Sequence, residues 1–427
     1  MSGAHRLTAS AARAEMRAGR LTALELVRDC LGRIAERDGT VRAWVAINPR
    51  AEAEAALIRA DDPRPLAGLP VGVKDVIDTA DLPTTHNSPL YGGHRPAEDA
   101  PVVQMLRAAG AIVLGKTDTT EFAAAGRDAV TANPRDPARS PGGSSAGSAA
   151  AVADFHVPLA LGTQTGGSTI RPASFCGIVG MKPSFGMIPT EGVKRYAGSF
   201  DTVGLHARAA EDLDLLAGVF MLPGDRAVPQ RPRLALWPTP YADRLSPEMR
   251  RALAALPDRL GPVAEVVAAP MPDEFAELDA LHRRILWAEG GVAFRNLAMG
   301  RRHRLHADFH ARVAESGRTA RQAFEAQDRL AALRGEFERR IAPFDALVAP
   351  AAPGFAPLGR GPGDPVFNAL FTAMQVPCLA LPLGGFDLPL GVQLVGRRAA
   401  DADLIALARH LGPALAARTE PRETTHV

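Results

Sequence analysis

The chain has 427 residues, 46% of them hydrophobic and 22% charged, a balance that excludes a disordered polymer and leaves enough material for one elaborated domain or about three ordinary ones. Its 49 Lys and Arg against 47 Asp and Glu leave a formal charge of +2, too small a surplus for a nucleic-acid groove, so small molecules or proteins are the expected partners. Three widely spaced cysteines, Cys30, Cys176 and Cys378, match neither a disulfide framework nor a zinc cluster, and Cys176 and Cys378 read as small buried hydrophobes.

Residues 1–20 carry basic side chains but no continuous apolar run, and no later stretch reaches about 18 uninterrupted apolar residues. The cytoplasm is therefore the expected location and no membrane is an expected partner. Thr22 stands three before Glu25 as a capping box, and Leu24, Val27, Leu31 and Ile34 recur at helical spacing, predicting a helix over 21–38. A strand over 41–48 and an Ala-rich helix over 50–60 follow. The segment GLPVGVKDVIDT carries Lys74 and Asp75 to a strand end or turn, and a helix over 100–109 ends at Gly110 before the apolar strand 111–116. That alternation favours an α/β fold.

From 134 to 204 lies the densest Gly/Ser run, interleaved with apolar stretches such as AAAVA and VPLAL. A tether would not be laced with core residues, so this segment reads as ordered loop at the heart of the fold. Residues 225–345 are Arg-rich and patterned mostly as helices, forming a variable subregion laid over a cleft. Strands at 345–350, 378–383 and 391–396 and a helix over 401–417 close the chain. With 40 glycines and 36 prolines, about 18% against an ordinary figure of roughly 12%, the composition suits a loop-rich enzyme.

Two serine clusters and a lysine survive a search for chemistry. Ser144 and Ser145 follow Gly142 and Gly143, and Ser168 follows Gly166 and Gly167; paired glycines let backbone N–H groups converge on an anion or oxyanion. There is no GxSxG elbow, phosphate loop or GxGxxG. His303, His306 and His310 have helical spacing but no supporting acid, and read as a solvated basic face rather than a metal site. Trp287, Phe294 and Phe309 are candidates to line a pocket, with the core as the alternative.

The combination of GVKD around Lys74, SPGGSSAGSAAAVA around Ser144 and LGTQTGGSTIRPASFCGIVGMKPSFG around Ser168, continued in DTVG (201–204) and PLGVQLVGR (389–397), resembles the amidase signature family of serine hydrolases. The resemblance spans most of the chain and is weakest over 225–345. It implies one amidase domain over 1–427: a single large α/β domain with a central mixed, twisted sheet flanked by helices. It also implies a Ser–cis-Ser–Lys triad, with Lys74 as base, Ser144 as the bridging serine in a cis peptide and Ser168 as nucleophile. The N–H groups of Thr165, Gly166, Gly167 and Ser168 would hold the oxyanion. Gly143, Ser145 and Arg171 are expected near the substrate; Ser145 is assigned to supporting hydrogen bonds, with proton transfer as its alternative. No metal or organic cofactor is implied, and the partner is a small-molecule amide.

Two departures from the family pattern stand out. Gln164 occupies a position that is commonly acidic, removing a charge that would help orient the loop. Arg171 lies three residues after Ser168 rather than two, as in the malonamidase branch, where an arginine at this matching position recognises a substrate carboxylate; a structural arginine bonding loop carbonyls is the alternative. Malonamate is accordingly a candidate substrate. The competing functions are hydrolysis of carbamates or aryl amides, glutamine hydrolysis as the A-type component of an amidotransferase, and a non-catalytic scaffold. A homodimer is expected, although no interface is legible in the chain.

Overall fold

The computed structural model describes residues 3–300 and 304–417. Eleven strands form one mixed sheet: β1 (Trp44–Ile47), β2 (Pro70–Lys74), β3 (Ile112–Thr117), β4 (Leu159–Gln164), β5 (Val179–Lys182), β6 (Thr202–Ala207), β7 (Arg233–Leu236), β8 (Glu265–Ala268), β9 (Ala346–Pro350), β10 (Cys378–Leu383) and β11 (Leu390–Val395). Their order is β1-β3-β2-β4-β6-β5-β10-β11-β9-β7-β8. The strands β3, β2 and β4 are mutually parallel, the run from β4 through β6, β5, β10 and β11 to β9 is antiparallel, and β9, β7 and β8 are parallel again. Helices flank this sheet, making the molecule a single α/β domain with one dominant core.

The N-terminal helix is Ala23–Val41, with both halves of the Thr22–Glu25 capping box formed. It runs past the expected residue 38 because buried Val41 still packs, and Arg42 closes it in a left-handed conformation (φ 54°). The expected strand over 41–48 is therefore cut to β1. The Ala-rich helix over 50–60 also shortens, to Ala51–Ala56.

The 134–204 segment is ordered and largely loop, as expected, but regular elements run through it. It holds the helices Ala146–Ala153 and Ile170–Cys176 and the strands β4 and β5. Every residue of both helices is buried, so neither carries the polar stripe that marks an amphipathic helix in sequence. Residues 225–345 are mostly helical, as their pattern suggests, but they also carry β7 and β8, which extend the sheet to its edge. Four-residue runs bounded by prolines are too short for periodicity to separate strand from helix. The remainder is helical as expected, with Leu278–Ala293 packed along Ala307–Ile341.

Glycines bring the chemistry-bearing segments down onto the sheet. Gly162 in β4 and Gly204 in β6 are cross-strand partners. A Cβ on Gly204 would lie 2.0 Å from Thr169 Oγ1, and one on Gly162 would lie 2.8 Å from Ser145 Oγ. Because β2 and β4 run parallel, their last residues, Lys74 and Gln164, emerge at the same edge of the sheet, where open α/β sheets place their ligand sites. Among the described residues no helix is long and apolar enough to cross a membrane.

Candidate active site

Lys74 ends β2 fully buried, and its ammonium nitrogen meets only hydroxyls: Ser144 Oγ at 2.7 Å, Thr163 Oγ1 at 2.7 Å and Ser145 Oγ at 3.0 Å. No carboxylate lies within ion-pair distance among the described residues. Burial therefore holds its pKa well below the ordinary 10.5, opposed only by the more distant charge of Asp201. The neighbouring Asp75 does not serve Lys74; it pairs with the equally buried Lys116 at 3.3 Å.

The peptide bond between Gly143 and Ser144 is cis. Ser145, one residue on, is fully buried and already bonded to β4: its Oγ donates to the Thr163 carbonyl and accepts from the Thr163 N–H, each at 3.1 Å. Ser168 is half-buried in the cavity wall beside Ser144, and its carbonyl accepts the Ser145 N–H at 3.3 Å. Its hydroxyl has no protein partner among the described residues. Nor do the backbone N–H groups from Thr165 to Ser168 donate to any described acceptor, which leaves a row of unspent donors beside that hydroxyl.

The loop bearing those donors is held from several sides. Gln164 Oε1 accepts the N–H groups of Thr169 and Ile170 at 2.9 and 3.1 Å, while its Nε2 donates to Thr372 at 3.0 Å. The neutral amide thus orients the loop without a negative charge. Thr372 in turn donates to the Gly166 carbonyl at 2.7 Å. His282 Nε2 donates to the Thr165 carbonyl at 2.8 Å, and half-buried Asp201 accepts the Thr165 hydroxyl at 2.6 Å. Thr163, Thr372, His282 and Asp201 carried no signal in the sequence, apart from Asp201 opening the DTVG motif.

Arg171 is buried, with Nε donating to the Pro362 carbonyl at 2.5 Å and Nη2 to the Gly143 carbonyl at 2.6 Å; Nη1 has no partner. Burial pushes its pKa down to about 10, so it remains charged at neutral pH. It lines a cavity of ≈ 270 Å³ together with Ser144, the 165–168 loop, Asp279, His282, Arg283, Trp287 and Arg312. Of the aromatic candidates only Trp287 reaches that cavity. Phe294 and Phe309 are fully buried, 4.5 Å apart and each 5.3 Å from Phe122, in a satellite core. Of the histidine triplet, His303 lies outside the described residues, and His306 caps the helix Ala307–Ile341 by accepting the Asp308 N–H at 3.3 Å. Among the described residues no three His, Cys, Asp or Glu side chains are grouped to hold a metal ion.

This arrangement can deliver a serine hydroxyl, a proton acceptor and an oxyanion cradle to one small carbonyl compound. Residues 25–405 match the family model described as Amidase. The chain belongs to the amidase family. It is therefore an enzyme of amide C–N bond cleavage. The chain is 33% identical over 469 residues to the A subunit of glutamyl-tRNA(Gln) amidotransferase from Chloroflexus aurantiacus, covering 95% of this chain and 96% of the relative. Among solved structures it is similar to a protein complex bearing on the origins of an s-triazine catabolic enzyme (TM-score 0.87, 27% identity, 97% and 100% of the two chains). It is also similar to the peptide amidase of Stenotrophomonas maltophilia (TM-score 0.82, 29% identity, 98% and 99%). These amidase relatives are not of the malonamidase kind that the spacing of Arg171 suggested.

Proposed function

We propose that the protein is a serine amidase acting on small-molecule amides through an acyl-enzyme, with Ser168 as nucleophile, Ser144 as proton relay and Lys74 as base. The carrying observation is the buried Lys74 amine, 2.7 Å from the Ser144 hydroxyl and without a carboxylate, beside a cavity lined by Ser168 and unspent N–H donors. A neutral amine has two N–H bonds and one lone pair. Ser145, whose proton goes to the Thr163 carbonyl, can only accept from it; with Thr163 accepting as well, the lone pair is left for the Ser144 O–H.

The reaction then runs as a balanced relay. Ser168 Oγ attacks the amide carbon while its proton passes to Ser144 and that of Ser144 to Lys74. The oxyanion is taken up by the Thr165–Ser168 N–H groups. The proton returns through Ser144 to the leaving nitrogen as the C–N bond breaks. Water next attacks the ester, Lys74 again collects a proton through Ser144, and Ser168 leaves with it. The role of 225–345 as cleft cover is supported by Asp279, His282, Trp287 and Arg312 in the cavity wall.

Malonamate recognition by Arg171 is the weaker specific assignment. Two of its three nitrogens are already bonded to carbonyls of the 143 and 362 loops, which favours a structural role for this side chain. A second reading is carried by the 33% identity to an amidotransferase component: hydrolysis of glutamine for a partner. Ammonia release from glutamine, malonamate and neutral amides, together with a search for co-purifying proteins, separates the two. A serine-directed phosphonylating probe should label the wild type and spare Ser168→Ala; substantial turnover by purified Ser168→Ala would end the nucleophile assignment.

A further inference from the structure

The cavity wall carries three arginines, Arg171, Arg283 and Arg312, against one aspartate, Asp279. Two of the three are committed. Arg283 pairs with Asp279 at 2.8 Å, and Arg171 is tied to the Pro362 and Gly143 carbonyls. Arg312, from the helix Ala307–Ile341, is different. Its guanidinium carbon lies 4.5 Å from the Trp287 ring centroid and 5.3 Å from that of Tyr196, so two aromatic faces fix its plane. Nη1 donates to the Tyr196 hydroxyl. Burial raises the Tyr196 pKa to about 12, so that phenol stays neutral and does not cancel the charge.

What remains of Arg312 is its side edge. Nε is buried without a partner, and neither Nε nor Nη2 is hydrogen-bonded among the described residues. Among those residues, too, no carboxylate lies within ion-pair distance of it. With Nε sealed off, Nη2 is the nitrogen that a carboxylate can reach, in a charge-assisted hydrogen bond. A cation flanked by two aromatic rings, with no carboxylate in range among the described residues and in the wall of the cavity that holds Ser168, lacks an anion.

From this we propose that Arg312, framed by Trp287 and Tyr196, is the substrate-carboxylate site, and that the enzyme selects small amides that also bear a carboxylate. This rests on the serine amidase reading and replaces Arg171 as the residue that reads charge. A cavity of ≈ 270 Å³, at the low end for ligand sites, fits a short acidic amide of this class. Malonamate and glutamine share this chemistry. Glutamine adds an ammonium group whose natural partner in the wall, Asp279, is already paired with Arg283.

The test compares kcat and KM of wild type, Arg312→Gln and Arg312→Lys on malonamate, glutamine and neutral malonamide. The preference for the acidic amides, taken as the ratio of kcat/KM to that for malonamide, is expected to fall at least about tenfold in Arg312→Gln, mainly through KM. Arg312→Lys should recover part of it, since the charge returns without the guanidinium's placement between the two rings. An unchanged ratio, with or without a general loss of activity, overturns the proposal. Should the wild type cleave no amide, the serine amidase reading fails, while calorimetric binding of malonate still tests the site. Weakening of malonate binding by at least about tenfold in Arg312→Gln supports it, and equal binding overturns it. The ratio of malonamate to glutamine turnover distinguishes the two sources of the carboxylate.

Discussion

At the buried end of β2 an ammonium ion would face three hydroxyls and no carboxylate, a poor exchange for water. The free amine is the favoured form there, which is what a base needs. Because burial sets the pKa of Lys74 well below its ordinary value, kcat/KM is expected to fall on the acid side as the amine gains a proton, at a pH below that of an ordinary lysine. Lys74→Arg, which cannot deprotonate, should lose activity by about a thousandfold or more without unfolding; near wild-type turnover would remove Lys74 as base. Ser145→Ala should lower kcat less than Ser144→Ala while costing stability by about 1–3 kcal/mol, because it strands the Thr163 N–H. Lys74, Ser144 and Ser168 were legible because each stands in a short motif. Thr163 was not, since its contact with Lys74 spans 89 residues and a lone threonine in an apolar strand carries no mark.

The strands and helices around the site show how backbone groups are satisfied at a crowded junction. Gln164 closes β4 and caps the start of the helix Ile170–Cys176 in one side chain, so Gln164→Ala should destabilise the protein by about 2–4 kcal/mol and lower kcat, measured by denaturant unfolding and ammonia release. His282 reaches the same loop from the helix Leu278–Ala293 and stacks on Phe200 at 4.5 Å. Burial drives its pKa from 6.5 to about 4, against the opposing pull of the Thr165 carbonyl. Below pH 6.5 the unfolded chain protonates this ring while the folded one does not, so its contribution to stability is lost as pH falls toward 4. Relative to His282→Gln, the wild type should lose roughly 1.4 kcal/mol per pH unit across that window. Parallel unfolding curves for the two proteins from pH 6.5 to 4 would rule this out. The element boundaries misjudged in sequence, 41–48, 134–204 and the entry to 225–345, are those where burial on all sides or very short runs erase periodicity.

Across the whole molecule the site depends on how closely the Gly/Ser segments lie against the sheet. Gly204→Ala should be among the more damaging single-methyl changes: with Cβ at 2.0 Å from the Thr169 hydroxyl, the start of the helix Ile170–Cys176 must lift and carry Ser168 with it. A cost of about 1–3 kcal/mol and a drop in kcat are expected, and an unaffected kcat would show the loop to be more tolerant than this packing implies. The α/β class was legible from alternating helix and strand signals, and the candidate residues from two glycine–serine clusters and the GVKD lysine, whose motifs are local. The edge strands β7 and β8, the pinning of the 165–168 loop by His282 and Thr372, and the framing of Arg312 by Tyr196 were set by tertiary structure alone, whereas Asp279 and Arg283 pair four residues apart on one helix. Sequence by itself determined which residues are candidates for chemistry, because a hydroxyl or an amine set in a short motif is a property of residue type and near neighbours. Which groups hold the 165–168 loop and which frame Arg312 follows from contacts between segments more than a hundred residues apart, and only folding brings those within a few ångströms.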